Sequence, residues 1–190
     1  MRGLSIALAL AVAAPAAAQE VAVTVETAAD GTRTLIHEAV IPAPVGEVWT
    51  AVATADGWKT WAVPVVREGP DGVFETSYDP AAPAGGPATI GQQWIAREAP
   101  TRASFRTTRT PAGFPHADAY KQVISTFTLT PEGANATRLR LSGAGYPAGP
   151  AGDALLGFFR TGNSMGMRQL HARFTNGPTD WAAAMKQGEK

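Results

Sequence analysis

The chain contains no cysteine, which excludes disulfides, thiolate metal sites and lipid-modified cysteine. Histidine is nearly as scarce. His37, His116 and His171 are the only three, and no two have the spacing of a helical metal-binding pair. Neither sign of charge dominates, with 16 Lys+Arg against 16 Asp+Glu, so the basic surplus that a nucleic-acid partner needs is missing. There is no phosphate-binding glycine loop, no Gly-x-Ser-x-Gly elbow and no His-Glu-x-x-His helix. No cofactor or metal is therefore expected. Long apolar runs are missing except at the start, where "LSIALALAVAA" follows Arg2 and precedes the small residues Ala16–Ala18. That run is shorter than the roughly 20 residues of a spanning helix. Met1–Ala18 reads as a secretory signal peptide cleaved near Ala18, which predicts a periplasmic or secreted bacterial protein with no membrane span after cleavage.

What remains is patterned for one domain. "TRTLIHEAVI" (32–41) alternates, with Leu35, His37, Ala39 and Ile41 on one parity, which predicts a strand. Pro42 and Pro44 end it, since neither can donate to a ladder, and Pro44 can open a helix. In "VGEVWTAV", Val45, Val48, Trp49 and Val52 share a helical face. "DGWKTW" follows as a second short helix or turn. Further strands are predicted at 62–69, 72–78, 91–98, 102–110, 119–130 and 136–145, separated by Pro/Gly/Asn turns. Residues 79–89, "DPAAPAGGPAT", read as a flexible surface loop. A long helix is predicted over 151–176, with Leu156, Phe159, Met167, Leu170 and Phe174 on an apolar face that has Asn163 in its middle. Asn176–Gly177–Pro178 stops it, and a short tail helix follows.

The resulting plan is α+β: about seven antiparallel strands, curved by their twist, around the long C-terminal helix, with short helices after the first strand. Residues 19–31 are expected to be an N-terminal extension, 32–177 the domain and 178–190 a tail.

"IPAPVGEVWTAV" followed by Trp61, and "ATRLRL" with Thr137–Arg138 before the last helix, resemble the START-related helix-grip superfamily (SRPBCC). That superfamily includes polyketide cyclases, START lipid-binding domains, plant pathogenesis-related allergens and activators of heat-shock ATPases. The resemblance covers roughly Thr32 to Asn176. It implies a pocket between sheet and helix, with Trp49 and the valines plugging one end.

Large residues in mid-strand or on the terminal helix are candidates to line such a pocket: Tyr78, Trp94, Phe105, Tyr120, Phe127, Phe159 and Met167. Arg109 shares parity with Phe105 and Thr107, and could hold an anion at the mouth. Ordinary core packing, or for Arg109 a solvated side chain, is the competing expectation. Gly157, Gly162 and Gly166 on the terminal helix fit either space for a ligand or close packing on the sheet.

Three functions stay open. The leading one is a non-catalytic binder of a hydrophobic or amphipathic small molecule. The second is a cyclase, dehydratase or isomerase using His37, Glu75 or Tyr120 as acid or base. The third is a protein-interaction module whose pocket has collapsed.

Overall fold

A computed structural model of the chain describes residues 20–188; the expected signal peptide, Met1–Ala18, lies outside them. Eight strands form one antiparallel sheet: β1 (Ala22–Thr27), β2 (Arg33–Ile41), β3 (Val65–Glu68), β4 (Val73–Ser77), β5 (Ile90–Glu98), β6 (Arg102–Arg109), β7 (Ile124–Pro131) and β8 (Thr137–Tyr146). Their spatial order is β1-β2-β8-β7-β6-β5-β4-β3. Short helices α1 (Val45–Ala53) and α2 (Ala55–Lys59) follow β2, and a single turn, α3 (Ala117–Tyr120), precedes β7. The long helix α4 (Pro150–Asn176) follows β8, and α5 (Trp181–Gly188) ends the described chain.

The strand count exceeds the expected seven because β1 lies within residues 19–31. Val23 and Val25 on it pair with His37 and Leu35 of β2. Alternation continues through "VAVTVET", so this edge strand was legible in the sequence. The strand expected from residue 119 begins later, because Ala117–Tyr120 coils into α3.

One face of the sheet is apolar and carries both helical covers. α4 lies over β2 and β8, whereas α1 and α2 lie against β7 and β3. At its start α4 is tied to β2 by the ion pair of Arg33 with Asp153 and by Arg33 Nη2 donating to Pro147 O at 2.5 Å. Gly152 is required there, since a Cβ would sit 1.8 Å from Pro147 O.

The opening prolines play a slightly different part from that expected. Pro44 is the N-cap of α1, with φ −58° and ψ 147°, and does not form the first helical residue. Thr54 then separates the two short helices, its Oγ1 accepting from the Gly57 N–H at 3.0 Å. This sharp turn aims Trp58 into the sheet. Trp49 is only half-buried; Trp58 is the plug. Its indole N–H donates to Val52 O at 2.6 Å, and that of Trp61 to Ala51 O at 2.9 Å. These carbonyls lie in the last turn of α1, where helical partners run out. The ring of Trp58 meets Trp61, Phe74, Trp94, Phe105 and Phe127 at centroid distances of 5.4–6.5 Å. Part of the apolar face is thus closed by Trp58 of α2, so α4 is not its sole cover.

Candidate functional site

Register across the sheet places the inward-facing side chains in rows. One row runs His37, Leu141, Phe127, Ala103; the next runs Leu35, Gly143, Ser125, Phe105, Trp94; a third runs Thr107, Gln92, Phe74. Near the Trp58 plug these residues are fully enclosed. On β7 and β8 the enclosure fails. Ser125 and Leu141 face inward on central strands, yet both keep partial solvent access. Opposite them, Phe159 and Asn163 lie on the same stripe of α4 as buried Leu156 and Met167, and they too stay partly accessible. A seam therefore separates the part of the face covered by α4 from the part covered by α2.

A second aromatic group closes one end of this seam. Tyr120 stacks on Phe159 at 4.5 Å, and Phe114 lies 5.5 Å from Tyr120. Tyr146 folds back over Gly143, where a Cβ would fall 3.0 Å from the tyrosine hydroxyl. A side chain at this position would press on that ring. Burial raises the pKa of Tyr120, a hydrogen bond from Thr107 opposes the rise, and Tyr78 adds to it. Burial also raises Tyr146, helped by Tyr120. The three tyrosines therefore sit within electrostatic reach of one another as neutral hydroxyls. Tyr78 is 67% exposed, yet burial of its hydroxyl raises its pKa as well.

Two buried polar atoms face this region without a partner: His37 Nδ1 and Gln92 Oε1. Each such atom costs about 1–3 kcal/mol if left unsatisfied, and native proteins rarely tolerate one without a reason. Gln92 lies directly across from Thr107, so its free oxygen belongs to the same polar strip as Tyr120. His37 Nε2 lies 3.1 Å from Arg160 O on α4. Burial lowers the His37 pKa, the Arg160 carbonyl raises it in part, and the Arg160 charge lowers it further.

Of the eight candidate lining residues, Trp94, Phe105 and Phe127 belong to the closed packing around Trp58, and Met167 is buried in the same core. Tyr78, Tyr120 and Phe159 lie at the open end. Arg109 does not reach any mouth. The β5–β6 register shifts between Gly91 and Gln92, so that Gly91 faces Arg109 while Gln92 faces Thr107. The extra residue, Thr108, reverses the parity that relates Arg109 to Phe105. Arg109 thus lies on the outer face, where its Nη2 donates to Glu75 Oε2 and to Thr89 Oγ1, both at 2.6 Å.

Glu75 is itself an outer-face clasp. Its Oε1 accepts from Arg67 at 2.9 Å, and its Oε2 also accepts the Gly85 N–H at 2.8 Å. Burial alone would raise its pKa, but the bonds from Gly85, Arg109, Arg67 and Thr89 prevail and hold it below the usual value. The loop 79–89 is pinned by these bonds and by Ser77 Oγ donating to Ala88 O at 3.0 Å.

Gln92, Thr107, Ser125 and Asn163 were not singled out as site residues. The available signal was a polar residue on an otherwise apolar parity, most plainly Gln92 two residues from Trp94. Two shallow clefts of about 240 and 180 Å³, beside Arg173 and over Glu75 respectively, do not border the seam; the site is placed by side-chain chemistry. Among the described residues no cluster of potential metal ligands occurs, and no helix is long and apolar enough to cross a membrane.

The family described as polyketide cyclase / dehydrase and lipid transport matches residues 20–175. The chain belongs to this family. Solved structures agree on the helix-grip fold. CalU16 from Micromonospora echinospora is 20% identical, with TM-score 0.56 over 90% of this chain and 93% of its own. Protein MLL2253 from Mesorhizobium loti is 22% identical, with TM-score 0.57 over 73% and 94%. The Aha1 dimer from Colwellia psychrerythraea is 14% identical, with TM-score 0.60 over 76% and 97%. No curated protein matches the chain. These likenesses concern the scaffold alone.

Proposed function

We propose that this protein is an exported binder of a neutral, amphipathic small molecule, held in the seam between α4 and strands β7–β8. Tyr78, Tyr120 and Phe159 form the aromatic end of the site, and the Gln92–Thr107 strip supplies polar contacts. The observation that carries this reading is the partial accessibility of inward-facing Ser125, Leu141, Phe159 and Asn163 beside buried, unpaired polar atoms. A solid core would enclose all four and would satisfy or omit the polar groups. The tyrosines with raised pKa remain protonated at neutral pH, so they can orient a ligand as hydrogen-bond donors. Arg109, turned outward onto Glu75 and Thr89, does not supply a cation for a carboxylate or phosphate head.

The test is extraction of the purified mature chain for mass spectrometry, followed by thermal unfolding against a set of neutral aromatic and aliphatic amphiphiles. A ligand at one hundred times its Kd stabilises by about 2.7 kcal/mol, which is readily visible. A stoichiometric co-purified compound, or a saturable rise in Tm, is the expected result. No extract and no shift across the set would reject the reading. N-terminal sequencing of periplasmic material, expected to start near Gln19, checks export.

A further inference from the structure

The imidazole of His37 has a defined role in the hydrogen-bond arrangement around it. Its Nε2 lies 3.1 Å from a backbone carbonyl, Arg160 O. A carbonyl oxygen can only accept, so Nε2 carries the proton. A neutral imidazole with its proton on Nε2 presents a bare lone pair at Nδ1. That lone pair is buried, and among the described residues nothing donates to it. Burial lowers the pKa of the ring, the bond to the Arg160 carbonyl opposes this in part, and the Arg160 charge lowers it further, which favours the neutral form.

Two partly accessible residues of the seam lie close to this ring along the strand and the helix. Leu141 is the direct cross-strand partner of His37 and is partly accessible on the inward face. Asn163, one turn along α4 from Arg160, is likewise accessible on the inward stripe. The bond to Arg160 O fixes the ring against α4.

We infer that His37 Nδ1 accepts a hydrogen bond from a hydroxyl of the bound molecule, so that the seam selects apolar ligands carrying a neutral O–H donor. This rests on the seam being the ligand site. A carboxylate or phosphate would set an anion against the lone pair and bind poorly. An ether or hydrocarbon of the same shape would fill the space but leave Nδ1 unpaired. Hydroxylated rings, phenols and sterol-like alcohols satisfy both the apolar walls and the acceptor.

The experiment compares 2-naphthol with 2-methoxynaphthalene, which share a ring system and differ in the donor. Binding is measured on the mature protein and on His37→Gln. Glutamine places an amide N–H where Nε2 donates to Arg160 O, but it offers no acceptor at the Nδ1 position. The wild type is expected to prefer the naphthol by about three- to tenfold, the worth of one neutral hydrogen bond. In His37→Gln that preference should vanish through weaker naphthol binding, with ether binding unchanged. In ¹⁵N-labelled wild-type protein the His37 Nδ1 resonance should move on saturation with naphthol and stay fixed with the ether.

Equal binding of both probes by the wild type, or an unmoved Nδ1 resonance, overturns this inference and leaves the binder reading intact. Binding of neither probe also overturns this inference, while the binder reading is decided by the amphiphile set. If His37→Gln does not fold, the wild-type resonance and the wild-type preference decide.

Discussion

Replacing Glu75 with glutamine tests whether the Pro/Gly-rich loop is clamped. The carboxylate receives Arg67, Arg109 and the Gly85 N–H, and its side chain is 15% exposed. Glutamine keeps one oxygen but turns the other arm into a donor facing a guanidinium or the Gly85 N–H. One charge-assisted bond is lost, about 1.5–3 kcal/mol. The arginines are 37% and 46% exposed, so solvent takes up part of the loss. We expect Glu75→Gln to destabilise by about 1–2 kcal/mol, or roughly 2–8 °C in Tm for a domain of this size. Urea unfolding at pH 7 measures it, and limited proteolysis should show faster cleavage within residues 79–89.

The pH dependence supplies a second check. The folded Glu75 pKa is held below its ordinary 4.5, so its contribution is fully present above that value. It fades as pH falls through the lower, folded pKa. The stability gap between wild type and Glu75→Gln should therefore shrink in strongly acidic buffer. A variant as stable and as protease-resistant as wild type at pH 7 would refute the clamp.

Other substitutions probe the core and the site. Trp58→Ala removes the ring on which five aromatic neighbours converge and should cost about 3–5 kcal/mol in denaturant unfolding. Gly57→Ala should destabilise by about 1–3 kcal/mol, since its Cβ would fall 2.0 Å from Thr50 O. In contrast, Gly162→Ala meets nothing within 4 Å and should raise stability by roughly 0.5–1 kcal/mol through helix propensity; both are read from urea midpoints. Arg109→Ala should weaken the loop clamp yet leave affinity for a seam ligand unchanged by calorimetry, because its side chain lies on the outer face.

Much of the fold was legible in sequence because periodicity is a local property. The alternation of Leu35, His37, Ala39 and Ile41, the stop at Pro42 and the apolar stripe of α4 each depend on residues a few positions apart. The site was legible only in part. Tyr120 and Phe159 were visible as large side chains on plausible elements. His37 shares a parity with core residues, but its free Nδ1 depends on where α4 places the Arg160 carbonyl. Arg109 shows how parity fails, since one extra residue at Thr108 reverses every inference made along β6 beyond it. The α4 glycines show the same limit. Close packing accounts for Gly152, whereas Gly157 and Gly162 have open space around them.

The sequence by itself determined that a series of short strands precedes one long terminal helix, where most of the turns fall, and that the interior is poor in charge, because backbone geometry turns local spacing directly into local structure. Only the tertiary structure decided that Trp58 is the plug where Trp49 was expected, that Glu75 holds the loop, and that two covers meet over β7 and β8 with an accessible seam between them. Those outcomes depend on volumes and carbonyl positions contributed by separate segments that folding brings together, which no local pattern encodes.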